Sequence, residues 1–335
     1  MNNGLVTHDI GERIQYYRIG ILSFVLGFCG LVAQTLILRG FQVVFYGNEI
    51  SYAMILASWL FWVGAGSLLT SCLIARIKKI QELSILGFAL FALSIPSSIF
   101  GLRYIRPILD IPVGQVMGFG PMAVAAFVLT APVAFGVGML FVALCRLDAQ
   151  PKDKVYRPGY VYLWESLGSG VGGVAFSFLL LHVFRTTVIA WLAAILIMAV
   201  LFVFFRRLKR WNVLIIALFA FLLTFLGIDG VYRLEEMSQE KQWPGVQVLA
   251  VKDTPYANIT VTQQSGQVSF YQNGLLSFTA GDRLTAEENV HFALLAHPNP
   301  RKVLLIGNGI GGEIQEILKY PDVTLDYVEL DAGFL

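Results

Sequence analysis

The sequence predicts an α-helical polytopic membrane domain of about seven spans, followed by a small α/β tail. Three observations carry that prediction. Of 335 residues, 56% are hydrophobic and 14% charged, where a soluble domain carries about 25% charged residues. The deficit is concentrated before residue 231, and mean hydropathy is +0.69. Near the end, a short aliphatic run enters a cluster of glycines at 307–312, which is the pattern of a strand feeding a phosphate- or nucleoside-holding turn.

A spanning helix needs about 20 mostly apolar residues. Candidate spans lie at roughly 19–38, 50–75, 84–104, 118–145, 160–184, 187–205 and 212–230. The first run is long enough to remain as a span and has no signal-peptide cleavage pattern. Arg185 and its neighbours alone separate the fifth and sixth runs, so a tight hairpin is expected there.

Loop charges set the expected orientation. Thirteen basic residues fall on one side: Arg13, Arg18, Arg76, Lys78, Lys79, Arg146, Lys152, Lys154, Arg157, Arg206, Arg207, Lys209 and Arg210. Four fall on the other: Arg39, Arg103, Arg106 and Arg185. The first side is expected to be cytoplasmic, in a bacterial inner membrane. Seven spans then place the tail outside the cytoplasm. The lipid bilayer explains the basic clusters without nucleic acid, and none is expected as a partner.

Within the spans, Glu165 is a functional candidate because an ionisable group at that depth is costly. Gln34 is a second candidate, with an interhelical hydrogen bond as its plainer role. His182 reads as an interface residue. Cys29, Cys72 and Cys145 fit no zinc or disulfide spacing and read as packing residues. No metal cluster is visible.

Residues 1–230 thus form the membrane domain, and 231–246 read as a polar linker. Residues 247–282 read as a β-hairpin segment. Alternation predicts strands at 247–252, 258–263, 267–272 and 275–279, with turns at Ser265-Gly266 and Asn273-Gly274. Residues 283–335 read as a partial α/β unit. Thr285 with Glu288 reads as a capping box opening a helix through about Ala296. A buried strand at 302–306, the glycine turn, a helix to about Tyr320 and a strand at 323–329 follow. Glu313 and Glu316 read as favourable charges near a helix start. His291 reads as a packed or solvated helix residue.

Gly307, Gly309 and Gly312 satisfy G-x-G-x-x-G after a strand and before a helix. Glu329 ends the next strand, where a carboxylate can accept from both hydroxyls of a ribose. Gly168, Gly170 and Gly173 satisfy the same pattern inside the fifth span. There the spacing serves close helix packing.

Ala296-His297-Pro298-Asn299-Pro300, then Lys302 through Gly312, then Val328-Glu329-Leu330-Asp331 resemble the spermidine synthase (polyamine aminopropyltransferase) family and its wider Rossmann-like, adenosylmethionine-dependent methyltransferase class. Gly27-Phe28-Cys29-Gly30-Leu31-Val32-Ala33-Gln34 with Leu36–Arg39 is similar to the first span of its membrane-embedded, multi-span bacterial members. The resemblance implies decarboxylated adenosylmethionine as cofactor, or adenosylmethionine and methylthioadenosine as related ligands. It implies a small amine as acceptor. Cofactor contacts would fall to Gly307, Gly309, Gly311, Gly312, Glu329 and Asp331. For Asp331 the plainer reading is a helix cap.

The substrate side departs from that family. Ala257 stands after Tyr256 where a Gln is usual, and Ser277 stands near another Gln. Thr285-Ala286-Glu287 replaces Tyr-His-Glu, which leaves Glu287 as a weak catalytic candidate. Ile310 replaces an Asp, and the family's catalytic aspartate follows a fourth strand that these residues do not reach. A truncated Rossmann-like domain, or a sheet completed by a second chain, is therefore expected. Two functions follow: a membrane-anchored aminopropyltransferase-like enzyme, or a transporter or sensor with a regulatory or vestigial tail.

Overall fold

The computed structural model describes all residues except 1–2, 48, 78, 114, 116, 149–157, 206–208, 228 and 335. Lys78, Lys152, Lys154, Arg157, Arg206 and Arg207, six of the basic residues counted above, lie outside the described residues. The protein is mostly helical, with a small sheet-bearing tail.

The helices are α1 (Asn3–Phe45), α2 (Glu49–Leu73), α3 (Ile80–Ile108), α4 (Phe119–Asp148), α5 (Pro158–Ala175), a π-helical turn (Phe176–Leu180) with α6 (Leu181–Val183), α7 (Thr186–Phe205), α8 (Lys209–Gly227) and α9 (Gly230–Gln242). Six segments are long and apolar enough to cross a membrane. The expected seventh span corresponds to α8, which passes the same test only together with α9, bent from it by 72°, so the count among the described residues is six or seven. Asp229 adopts φ 57° at the break, and a Cβ on Gly230 would lie 2.8 Å from the Phe225 carbonyl oxygen. A straight apolar continuation is therefore replaced by a corner.

α1 runs through the bundle and packs on α3, α4, α5 and α7. The α1–α5 contact is backbone to backbone. A Cβ on Gly27 would strike the Glu165 carbonyl, and one on Gly168 would strike the Phe24 carbonyl. Gly172 and Gly173 abut Phe28 and Leu31 of α1, whereas Gly170 faces open space. The glycine run in this span thus serves packing through 168, 172 and 173. The short turn at 184–185 is present, but α5 packs on α1, not on α7 as a tight hairpin would require. Gly66 and Gly138 give α2 and α4 the same close approach.

The stretch expected to be a linker is α9. Its Glu235 is buried because two guanidinium groups reach it. Arg103 Nη2 lies 3.3 Å away and Arg185 Nη1 3.6 Å away. Sequence periodicity alone weighs such a carboxylate as solvent-facing, since buried charges require partners.

The tail holds β1 (Gln247–Asp253), β2 (Asn258–Gln264), β3 (Gln267–Gln272) and β4 (Leu275–Thr279), an antiparallel sheet in that order. Both connecting turns have positive φ at their two central residues, Ser265-Gly266 and Asn273-Gly274, as right-twisted hairpins require. Gly274 sits against Val43 and the Tyr46 ring at the end of α1.

The sheet is fastened to the helices by polar contacts. Arg39 Nη2 donates to the Thr254 carbonyl (2.6 Å) and lies 3.9 Å from Asp253. Asp253 accepts from the Thr186 hydroxyl (3.0 Å) and the Asn258 amide (3.0 Å). Trp243 meets Tyr271 edge-on at 4.7 Å. A cavity of about 50 Å³ remains at this seam, between Arg39, Arg103, Asp253 and Thr260. Three of the four arginines counted on the sparsely charged side (39, 103 and 185) are thus engaged by the tail or by α9.

Then come α10 (Arg283–Leu295), β5 (Lys302–Ile306), a 3₁₀ turn (Gly309–Gly311), α11 (Glu313–Ile317), β6 (Thr324–Val328) and a 3₁₀ turn (Ala332–Phe334). β5 and β6 pair in parallel, Ile306 opposite Val328. One face carries Val303, Leu305 and Leu325 against Val290, Leu294 and Ile317 of α10 and α11. The other face is bare: Leu304, Ile306 and Val328 are 61%, 73% and 53% exposed. The fully buried strand expected here is thus covered on one side only.

Two local expectations are also corrected. α10 starts at Arg283, and its cap is Asp282, whose carboxylate accepts from the Thr285 amide and hydroxyl. A carboxylate at the N-cap competes successfully with the Thr285 box. α11 is five residues long and stops before Tyr320.

Candidate functional site

β5 ends at Ile306, and the chain turns back at once. Gly307, Asn308 and Gly312 have φ 73°, 56° and 117°. Gly312 in particular holds a conformation that a side chain strains. The Gly307 amide donates to the Val328 carbonyl (2.8 Å), which ties the turn to the end of β6. The Gly311 amide closes on the Asn308 carbonyl (3.1 Å).

β6 alternates, so Tyr327 and Glu329 point to the same side. That side is the turn. A Cβ on Gly309 would lie 2.5 Å from Cζ of Tyr327. The Tyr327 hydroxyl donates to Glu329 Oε2 (2.7 Å), and the Asp331 amide donates to Glu329 Oε1 (3.3 Å). Burial first, then the adjacent Glu329 carboxylate, raises the Tyr327 phenol above the ordinary tyrosine range. The Gly309 backbone opposes this. The turn glycines and Glu329 are therefore brought together, with the tyrosine ring between them. Tyr327 went unremarked in the sequence, although its two-residue spacing from Glu329 in a strand was signal enough.

Under the turn lies a second set. Glu313 is buried and accepts at Oε1 from the side-chain amides of Asn289 (3.1 Å) and Asn308. Its Oε2 and Asn308 Oδ1 are buried without a hydrogen-bond partner among the described residues. Glu316 is also buried, bound to Lys319 and 3.3 Å from His291 Nε2. Lys319 is the chief cause holding the Glu316 carboxyl below the usual range. Both glutamates stand in the first turn of α11, as expected, and both are also buried internal ties. His291 also bonds the Tyr320 hydroxyl at 2.8 Å, joining α10 to the residues after α11.

The remaining candidates lie apart. Asp331 is buried, accepting from the Thr254 hydroxyl (2.6 Å) and the Gly333 amide (2.9 Å). It latches β6 to the β1–β2 connection and caps the last 3₁₀ turn. Glu287 pairs with Lys319 at 3.9 Å on the α10–α11 surface. Glu165 and Gln34 are half-buried on α5 and α1, and neither side chain has a hydrogen-bond or ionic partner among the described residues. His182 is exposed. Cys29 and Cys145 are buried, Cys72 is exposed, and none of the three is in a disulfide. No cluster of three metal-binding side chains exists among the described residues.

Residues 284–335 match the spermine/spermidine synthase domain family. A polyamine aminopropyltransferase of Leptospira interrogans is 39% identical over 89 residues, which are 26% of this chain and 18% of that protein. One from Oceanobacillus iheyensis is 30% identical over 175 residues, 50% of this chain and 34% of that protein. Polyamine aminopropyltransferase 2 of Aquifex aeolicus is 27% identical over 173 residues, 51% of this chain and 35% of that protein. The chain thus spans about a third or less of these relatives' length. No solved structure matches it. The tail is spermidine synthase-like.

Proposed function

We propose that this protein is a membrane-anchored transferase of the spermidine synthase class, whose tail binds an adenosyl sulfonium cofactor for aminopropyl transfer to an amine. The observation that carries the reading is the meeting of the 307–312 turn with Glu329, inside the segment that matches the synthase family. The β5–α11–β6 unit, with its parallel strand pair, supports reading this segment as the first βαβ of a Rossmann-like fold.

The residues suit an adenosyl group in kind. Bare glycine backbone allows close approach, and the Glu329 carboxylate is the acceptor that two ribose hydroxyls require. Decarboxylated adenosylmethionine, when bound, would supply a carbon activated by its neighbouring sulfonium. The chain's own part is to grip the nucleoside and fix its orientation. Asp331 serves that grip indirectly, by its backbone amide on Glu329.

Seven segments would span the bilayer: α1 to α4, α5 with its π-helical turn and α6, α7, and α8. The tail sits at the end of the bundle bearing Arg39 and Arg185, and the excess of basic residues at the other end favours a tail outside the cytoplasm. In a bacterium this membrane is the inner one.

Titration calorimetry of methylthioadenosine against the full chain in nanodiscs tests the reading. Binding that falls at least tenfold in Glu329→Gln supports it. Wild-type binding unaffected by that change, or no heat at all, overturns it. Cysteine labelling of residue 265 from one side of sealed vesicles tests the placement.

A further inference from the structure

Each oxygen of the Glu329 carboxylate already accepts one hydrogen bond from the protein. The phenol of Tyr327 holds one carboxylate oxygen at 2.7 Å and the Asp331 amide holds the other at 3.3 Å. The Tyr327 ring also stands against the Gly309 backbone, where a Cβ would come within 2.5 Å of Cζ and 2.7 Å of Cε2. One side chain therefore fills the gap between the glycine turn and the acid.

We infer that Tyr327 is an internal competitor for the nucleoside: its hydroxyl takes the place of a ribose hydroxyl on Glu329, and it must leave before a ligand can hold both Gly309 and Glu329. This rests on the cofactor reading above. The register fixes the competitor in place. Ile306 opposes Val328, so Tyr327 lies opposite Leu305 and directly beside the point where the chain leaves β5. Tyr327 is half-buried, so rotation of its side chain frees the gap without unfolding the strand. The perturbed titration of the phenol agrees with the close carboxylate contact.

The chemistry selects the ligand. A phenol held on a carboxylate is displaced by a group offering stronger or more numerous donors to the same two oxygens. A vicinal diol offers two; a ligand lacking hydroxyls offers none. An alternative role exists for the same contact: Tyr327 could orient Glu329 for the ligand rather than exclude it. The two roles predict opposite signs when the hydroxyl alone is removed.

The test uses the full chain in nanodiscs and methylthioadenosine as probe. Wild type, Tyr327→Phe, Glu329→Gln and the double variant are titrated by calorimetry. Tyr327→Phe keeps the ring and removes only the hydroxyl, so folding is preserved. Its affinity is expected to rise on the order of tenfold, because the free protein no longer has a hydrogen bond to a charged acceptor to surrender. The gain is expected to vanish in the Glu329→Gln background. Wild type should also show an ultraviolet tyrosine difference signal on binding that Tyr327→Phe lacks. Equal or weaker binding by Tyr327→Phe, with binding still dependent on Glu329, overturns the competitor and leaves the cofactor reading standing. Absence of binding in every variant overturns both.

Discussion

Replacing Glu235 by glutamine should loosen the corner between α8 and α9 more than any other single change of charge in the protein. The Glu235 side chain is 2% exposed and the Arg103 side chain 10%, with 3.3 Å between them. At an effective dielectric of 20, that separation corresponds to about 5 kcal/mol of attraction before desolvation. Arg185 is 50% exposed, so solvent screens its 3.6 Å contact to less than about 1 kcal/mol. Removing the carboxylate strands the Arg103 guanidinium, which retains the Ser238 hydroxyl at 2.6 Å. The net loss expected for breaking one side of a buried pair is about 3–5 kcal/mol. Denaturant unfolding in nanodiscs, read by Trp243 fluorescence, measures it, because Trp243 closes α9 and is itself buried. A cycle with Arg103→Gln should return a coupling of at least about 1.5 kcal/mol, and a cycle with Arg185→Gln well under 1 kcal/mol. A Glu235→Gln loss below about 0.5 kcal/mol, or equal coupling to both arginines, would refute the burial argument.

Other outcomes follow from single contacts. Gly168→Val should force α5 off α1, because its Cβ meets a backbone carbonyl that cannot step aside; thermal unfolding should show a loss of about 1–3 kcal/mol or more. Asp282→Ala removes the α10 cap and should cost about 1 kcal/mol, with faster hydrogen exchange at Thr285. Glu313→Ala deprives Asn289 and Asn308 of their acceptor and should cost about 1–3 kcal/mol in tail unfolding, while Glu313→Gln should cost less. The Glu316 carboxyl is depressed, chiefly by Lys319, so its contribution is complete above about pH 4.3 and is lost as pH falls through the lower folded value. Lys319→Ala should raise the carboxyl resonance midpoint of Glu316 in a pH titration followed by NMR, and an unchanged midpoint would remove Lys319 as the cause.

The apolar runs and the two glycine-bearing hairpin turns were legible because each depends on local chemistry: length against bilayer thickness, and positive φ at Gly266 and Gly274. The same holds for the turn at 307–312, where glycine, strand and acid lie close in the chain. What escaped was long-range. Helix α9 reads as a linker until Arg103, more than 130 residues away, is seen to neutralise Glu235. Glu313 reads only as a charge near a helix start until Asn289 is seen to reach it from α10. Competition between neighbours also misled: Asp282 and Thr285 both offer caps, and a charged acceptor won. The bare face of β5 was hidden for a different reason. Its residues are as apolar as a buried strand requires, and composition does not say which side finds a cover.

Thr254 stands where two chains of contact cross. Its carbonyl receives the guanidinium of Arg39, near the end of α1, and its hydroxyl reaches the carboxylate of Asp331, whose amide steadies Glu329. Four residues, Arg39, Thr254, Asp331 and Glu329, thus link helix α1 to the carboxylate beside the glycine turn. A shift of α1 would be delivered to Glu329 through these contacts as a change in strain. Deleting the single hydroxyl at position 254 would disconnect the two.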